Sequence, residues 1–62
     1  MYYLVEAYGK TGVLAGQRTT IGLEPAKALY SMLKENPEFG EVNIYSTEVT
    51  GGLIDKRERI YV

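Results

Sequence analysis

The Gly-Lys-Thr at residues 9–11 is the short stretch of this 62-residue chain that matches the end of a phosphate-binding loop. The full motif requires another glycine five residues before the Gly-Lys pair, and that position holds Leu4. The loop should also open a helix whose N-terminus faces the phosphates, whereas the residues that follow are typical of a strand. We therefore expect a hairpin turn with an exposed Lys10, not a nucleotide site.

The side chains that most often carry out catalysis are missing. The chain has no histidine and no cysteine, which are the commonest acid–base group and the strongest nucleophile. Ser31 and Ser46 therefore have no histidine to activate them. Glu35, Glu38 and Glu41 cluster near one another, but without the Asp/Asn spacing of a calcium loop. We expect no enzyme activity, no cofactor, no metal site and no small-molecule substrate.

The densest charge cluster lies at residues 55–59, where basic and acidic side chains are mixed. Charges of this kind are typical of an edge strand that must not pair with another chain. The net charge of −1 also differs from the basic balance of most nucleic-acid-binding domains. Nucleic-acid binding stays an alternative hypothesis, as does contact with an acidic partner. The residues that would serve either one are Lys10, Arg18, Lys56, Arg57 and Arg59.

The chain predicts two hairpins that flank one helix. The predicted strands are residues 2–8, 13–21, 41–49 and 53–62, and the predicted helix is 23–36. Glycines at both ends of the first turn, residues 9–12, offer the positive φ values of tight turns, and Gly16 indicates a bulge or a close approach of another backbone segment. The order β-β-α-β-β predicts an α+β fold. We expect a single domain over residues 1–62, with one helix on one face of a four-stranded antiparallel sheet. The first strand can lie beside either the third or the fourth.

Alternation along the strands predicts which face is covered. Glu6 indicates that its own side of the first strand is the solvated one. The predicted core under the helix consists of Tyr3, Val5, Val13, Ala26, Leu29, Leu33, Val42, Ile44, Ile60 and Val62. The predicted protein-binding residues on the opposite face are Tyr2, Leu4, Tyr8, Tyr45 and Tyr61.

Tyrosine is over-represented, at 6 of 62 residues, and it suits interfaces because it combines a large apolar body with a polar tip. We therefore expect a protein partner that binds this tyrosine-rich face or a free sheet edge, with a homodimer or structural scaffold as a second hypothesis. The chain has no long apolar run and does not begin with a basic leader, so we expect no membrane association and a cytoplasmic location.

Two hairpins around one helix, in a small single-domain chain without catalytic groups, resemble the plan of some phage-encoded inhibitors of bacterial defence. The resemblance rests on size and element order. It implies a regulator or inhibitor, encoded by a phage or mobile element, that acts on a host protein complex.

Overall fold

A computed structural model describes the whole chain, residues 1–62. In chain order the elements are β1 (Tyr2–Gly9), β2 (Leu14–Ile21), α1 (Leu23–Lys34), β3 (Phe39–Thr50) and β4 (Leu53–Ile60). The strands form one sheet in the order β2-β1-β3-β4, and every neighbouring pair is antiparallel. The predicted α+β fold is confirmed. Of the two strand orders left open by the sequence, the structure has β1 beside β3.

Glycines set both hairpin turns. In the first turn, Gly12 has φ +86° and the Gly9 N–H donates to the Val13 carbonyl at 2.9 Å. Gly9 itself does not have a positive φ, so only one of the two expected glycines is needed for its backbone conformation. In the second turn, Gly51 and Gly52 have φ +59° and +83°, which matches the two positive values of a type I′ hairpin turn.

The helix begins where Gly22 breaks the extended chain with φ +92°. Pro25 lies in the first turn, where its missing N–H leaves no bond unmade. The last helical residue is Lys34, two residues before the predicted end and three before Pro37. The helix packs against β3, β1 and β2, with Ala26 fully buried at the contact.

The core lies between this helix and the two central strands. Five buried residues form it: Val5, Ala7, Ala26, Val42 and Ile44. The predicted core residues Tyr3, Leu29, Leu33 and Ile60 pack against them while staying partly buried. Two predictions are wrong, since Val13 and Val62 are 67% and 62% exposed. Val13 lies in the turn before β2, and Val62 lies beyond the end of β4, so the sheet holds neither side chain against the helix.

A bulge in β4 changes which face its side chains occupy. Tyr45 and Thr47 of β3 pair with Arg59 and Lys56 of β4, so β4 has one more residue than β3 between these pairs. Ile60, opposite Ile44, therefore faces the helix. Before the bulge, the even-numbered residues Ile54 and Lys56 lie opposite Val49 and Thr47 and face away from the helix. Ile54 and Ile60 are six residues apart, so an uninterrupted strand would place both side chains on one face. The bulge instead places Ile54, opposite Val49, on the face away from the helix.

No helix in the structure is both long enough and apolar enough to cross a membrane.

Candidate functional site

The sheet face opposite α1 has no element packed on it, and we call it the open face. The register identifies its members, because residues directly opposite each other in neighbouring strands share a face. From β1 and β3 they are Tyr2, Leu4, Glu6, Tyr8, Glu41, Asn43, Tyr45, Thr47 and Val49, and from the outer strands Leu14, Gln17, Thr19, Ile21, Ile54, Lys56 and Arg59.

Glu6 lies at the centre of the open face, yet it is only 4% exposed. The Tyr8 hydroxyl donates to its Oε1 at 3.0 Å, and Lys56 Nζ lies 3.4 Å from its Oε2. The same ammonium lies 4.9 Å from the centre of the Tyr45 ring. The prediction that Glu6 marks the face without the helix holds, but its carboxylate is shielded by neighbouring side chains and is not solvated. In the sequence, the only sign of this arrangement is that Glu6 is the one charged residue among the aromatic and aliphatic residues of the first strand.

The hydrogen bond to Glu6 also affects Tyr8. The pKa of Tyr8 is raised above its ordinary value of 10.0, first because this bond is lost on deprotonation, then through burial and the negative charge of Glu6. Tyr8 therefore stays protonated at neutral pH and keeps donating to the carboxylate. This bond restrains both side chains on the surface that a partner would meet.

Asn43 adds a second buried polar group to the open face. It is 4% exposed, and its Nδ2 donates to Glu41 Oε2 at 2.9 Å. Its Oδ1 has no hydrogen-bond partner, and a buried acceptor without a donor is destabilising by about 1–3 kcal/mol. Sequence reasoning missed Asn43, because an asparagine within a strand carries no pattern that marks it as buried.

The predicted binding residues divide into three groups. Tyr2, Tyr8 and Tyr45 share the open face, with Tyr2 42% exposed and the other two half-buried. Leu4 is also on this face but only 6% exposed, so the expectation that its side chain is exposed is wrong. Tyr61 follows β4, where it is exposed and has the Arg59 guanidinium 4.8 Å from its ring centre.

Aliphatic residues on the open face extend the apolar surface beyond the tyrosines. Leu14 and Ile21 of β2 are 44% and 73% exposed, and Val49 and Ile54 are 45% and 47% exposed. Val49 and Ile54 lie on the part of the β3–β4 hairpin that extends past the start of β1, because β1 begins at Tyr2, which pairs with Thr47. The sequence did not reveal this extension, since it depends on the register between β1 and β3.

The basic residues proposed for nucleic-acid or acidic-partner contact do not form one patch. Lys10 lies in the first turn and Arg18 on β2, while Lys56, Arg57 and Arg59 lie on β4 at the opposite edge of the sheet. With neighbouring strands about 4.8 Å apart, β2 and β4 are separated by about 14 Å. Lys56 is already paired with Glu6, and Arg57 with Glu48. The structure therefore offers no continuous basic surface.

The structure also places the two other motifs that the sequence raised. The Gly-Lys-Thr at residues 9–11 is followed by β2 and not by a helix, so the phosphate-binding arrangement is not formed. No group of three or more acidic side chains comes close enough together to hold a metal ion.

Comparisons with protein-family models, characterised proteins and solved structures found no match to this chain.

Proposed function

We propose that the chain is a small, non-enzymatic protein-binding module, a regulator or inhibitor that docks on another protein through its open face. The observation that carries this proposal is the uneven covering of the sheet. One face packs against α1, while the other exposes Tyr2 together with Leu14, Ile21 and Ile54.

The size of the open face fits a docking role. Three of the strands have eight residues and β3 has twelve. Four strands about 4.8 Å apart, counted at eight residues each with a rise of about 3.3 Å, give a sheet face of about 500 Å² that includes polar and apolar groups. The exposed apolar side chains make up part of this area, and contiguous apolar patches of a few hundred Å² are usually interaction sites. The projecting β3–β4 hairpin enlarges the surface toward the roughly 800 Å² that each partner buries in a stable complex.

The polar groups on the open face indicate the kind of surface that would fit it. Glu6 and Lys56 balance each other's charge, so the centre of the face does not favour a strongly charged partner. The hydroxyl of the exposed Tyr2 and those of the half-buried Tyr8 and Tyr45 offer hydrogen bonds within an apolar surround. The matching partner has a flat apolar surface with a few polar groups that pair with these hydroxyls.

A second copy of the chain is the other candidate occupant. The same open face of a second copy would cover the exposed apolar side chains Tyr2, Leu14, Ile21 and Ile54, and closed twofold symmetry is the commonest arrangement of homo-oligomers.

Site-specific photocrosslinking tests the proposal. A photoreactive phenylalanine derivative replaces Tyr2 on the open face or, as the matched control, Met32, which is 62% exposed on the helix. In extracts of the source cells we expect an adduct with a single protein from position 2 and none from position 32.

Competition then identifies the surface. Excess unlabelled protein should suppress the adduct, whereas a Tyr2→Ser, Tyr45→Ser variant should not. Equal adducts from both positions, or equal competition by the variant, would contradict docking through the open face. An adduct with the chain itself would instead assign the face to a dimer.

A further inference from the structure

The outer edge of β2 is the less protected of the two edges of the sheet. β4 carries a bulge and five consecutive charged residues at positions 55–59, both of which hinder pairing with another strand. β2 contains no proline and a single charged residue, Arg18. Its own irregularity lies near its start, opposite Ala7 and Tyr8, which leaves residues 16–21 regular.

The backbone of β2 presents unpaired groups along this regular stretch. The Gly22 N–H donates to the Met1 carbonyl at 3.0 Å, and hydrogen-bonded pairs alternate along an antiparallel ladder. With the register of Val5 opposite Arg18, the alternation directs the N–H and C=O groups of Gln17, Thr19 and Ile21 away from β1. These groups are available to a further strand.

An apolar cleft of about 270 Å³ runs beside this edge, between β2 and α1. Ala7, Leu29, Leu33 and Phe39 line it. The cleft is open because Gly16 has no side chain, and a Cβ added there would meet no atom within 4 Å. It is smaller than the pockets of roughly 300–1,000 Å³ that hold drug-sized ligands, and it suits an inserted apolar side chain.

Arg18 supplies the charge at this cleft. It lines the opening, it is exposed, and neither of the two salt bridges in the structure involves it. It therefore offers an unpaired guanidinium, whose fork of donors matches a carboxylate.

We propose that β2 and the adjoining cleft bind an extended peptide segment of a partner protein. The segment adds to β2 as a fifth strand, inserts one apolar side chain between Leu29, Leu33 and Phe39, and places a carboxylate against Arg18. Strand addition of this kind gains affinity from backbone bonds and specificity from side-chain pockets. The site goes beyond the docking role of the open face, because it uses a sheet edge and the helix side of the sheet.

A display selection with random seven-residue peptides on the immobilised protein tests this site. We expect the enriched peptides to share an apolar residue flanked by Asp or Glu. Gly16→Val should fill the cleft and weaken their binding at least tenfold, and Arg18→Ala should weaken it severalfold. Because the Gly16 backbone has no positive φ and valine favours strands, Gly16→Val should keep the fold, which circular dichroism verifies.

Tyr2→Ser on the open face is the matched control and should leave peptide affinity unchanged. Amide chemical shifts of Gln17, Thr19 and Ile21 should move on peptide addition. The site is wrong if the selection yields no such consensus, or if the enriched peptides bind the Gly16→Val and Arg18→Ala proteins as tightly as the original. Peptides sensitive to Tyr2→Ser alone would also overturn this proposal while supporting the open face, so the two proposals can fail separately.

Discussion

The Glu6–Lys56 pair should stabilise the fold far more than the other ion pair of the protein. The Glu6 side chain is 6% exposed and that of Lys56 is 47% exposed, with 3.4 Å between the charged atoms. The comparison is the pair between Glu48 and Arg57, whose side chains are 56% and 57% exposed. Both pairs involve β4, so they share a structural context but differ in burial.

The magnitude follows from burial. Exposed ion pairs contribute about 0.2–1 kcal/mol, whereas breaking a fully buried pair is destabilising by about 3–5 kcal/mol. With one partner buried and the other half exposed, we expect a coupling of about 1–2 kcal/mol for Glu6 and Lys56. For Glu48 and Arg57 we expect less than about 0.5 kcal/mol.

Double-mutant cycles provide the assay. The first cycle uses Glu6→Gln, Lys56→Met and their combination, and the second uses Glu48→Gln with Arg57→Met. Urea unfolding is followed by far-ultraviolet circular dichroism and tyrosine fluorescence, since the chain has no tryptophan. A domain of 62 residues has a free energy of unfolding of about 3–9 kcal/mol, so the first coupling is readily measured. A Glu6–Lys56 coupling no larger than the Glu48–Arg57 coupling would refute the claim that Glu6 is buried and charged at the centre of the open face.

Three further predictions concern the backbone, the core and pH. Gly22→Ala should destabilise the fold by about 1–3 kcal/mol, because φ +92° strains a residue with a Cβ, whereas Gly16→Ala should be neutral or stabilising. Thermal unfolding compares the two variants, and an equal loss of stability in both would contradict this prediction. Ile44→Val should lower the free energy of unfolding by about 0.5–1.5 kcal/mol, because Ile44 is fully buried; urea unfolding measures the change, and an unchanged midpoint would contradict this. The raised pKa of Tyr8 means that the folded state holds the hydroxyl proton more tightly than the unfolded state. The contribution of this proton to the free energy of unfolding is therefore complete below pH 10 and is lost as the pH rises through the folded pKa. Urea unfolding across this range should show a steeper alkaline decline in stability for the wild type than for Tyr8→Phe, and parallel curves would contradict the hydrogen bond to Glu6.

The order of elements could be predicted from the sequence because each element carries a local signal. Pro25 and the spacing of Leu29 and Leu33 predict the helix, and glycines mark both hairpin turns. The choice between β3 and β4 as the neighbour of β1 carries no local signal. It depends on which strand provides a continuous apolar side under the helix, and Val42 and Ile44 of β3 do so.

The side-chain positions were predicted less well at the sheet margins. Val13 and Val62 match the alternation of the core but lie outside the strands that would direct them inward. The bulge in β4 reverses the face of Ile54, and no glycine marks it in the sequence. The burial of Glu6 depends on Lys56, which lies fifty residues away along the chain, so local pattern alone does not predict it.

The central claim, that the open face is free to bind another protein, is tested most directly by the solution mass from light scattering over a wide concentration range. The account predicts the 6.9 kDa of one chain throughout. Twice that mass, independent of concentration and reduced to the monomer by Tyr2→Ser with Tyr45→Ser, would show that a second copy already covers the open face and would contradict the claim.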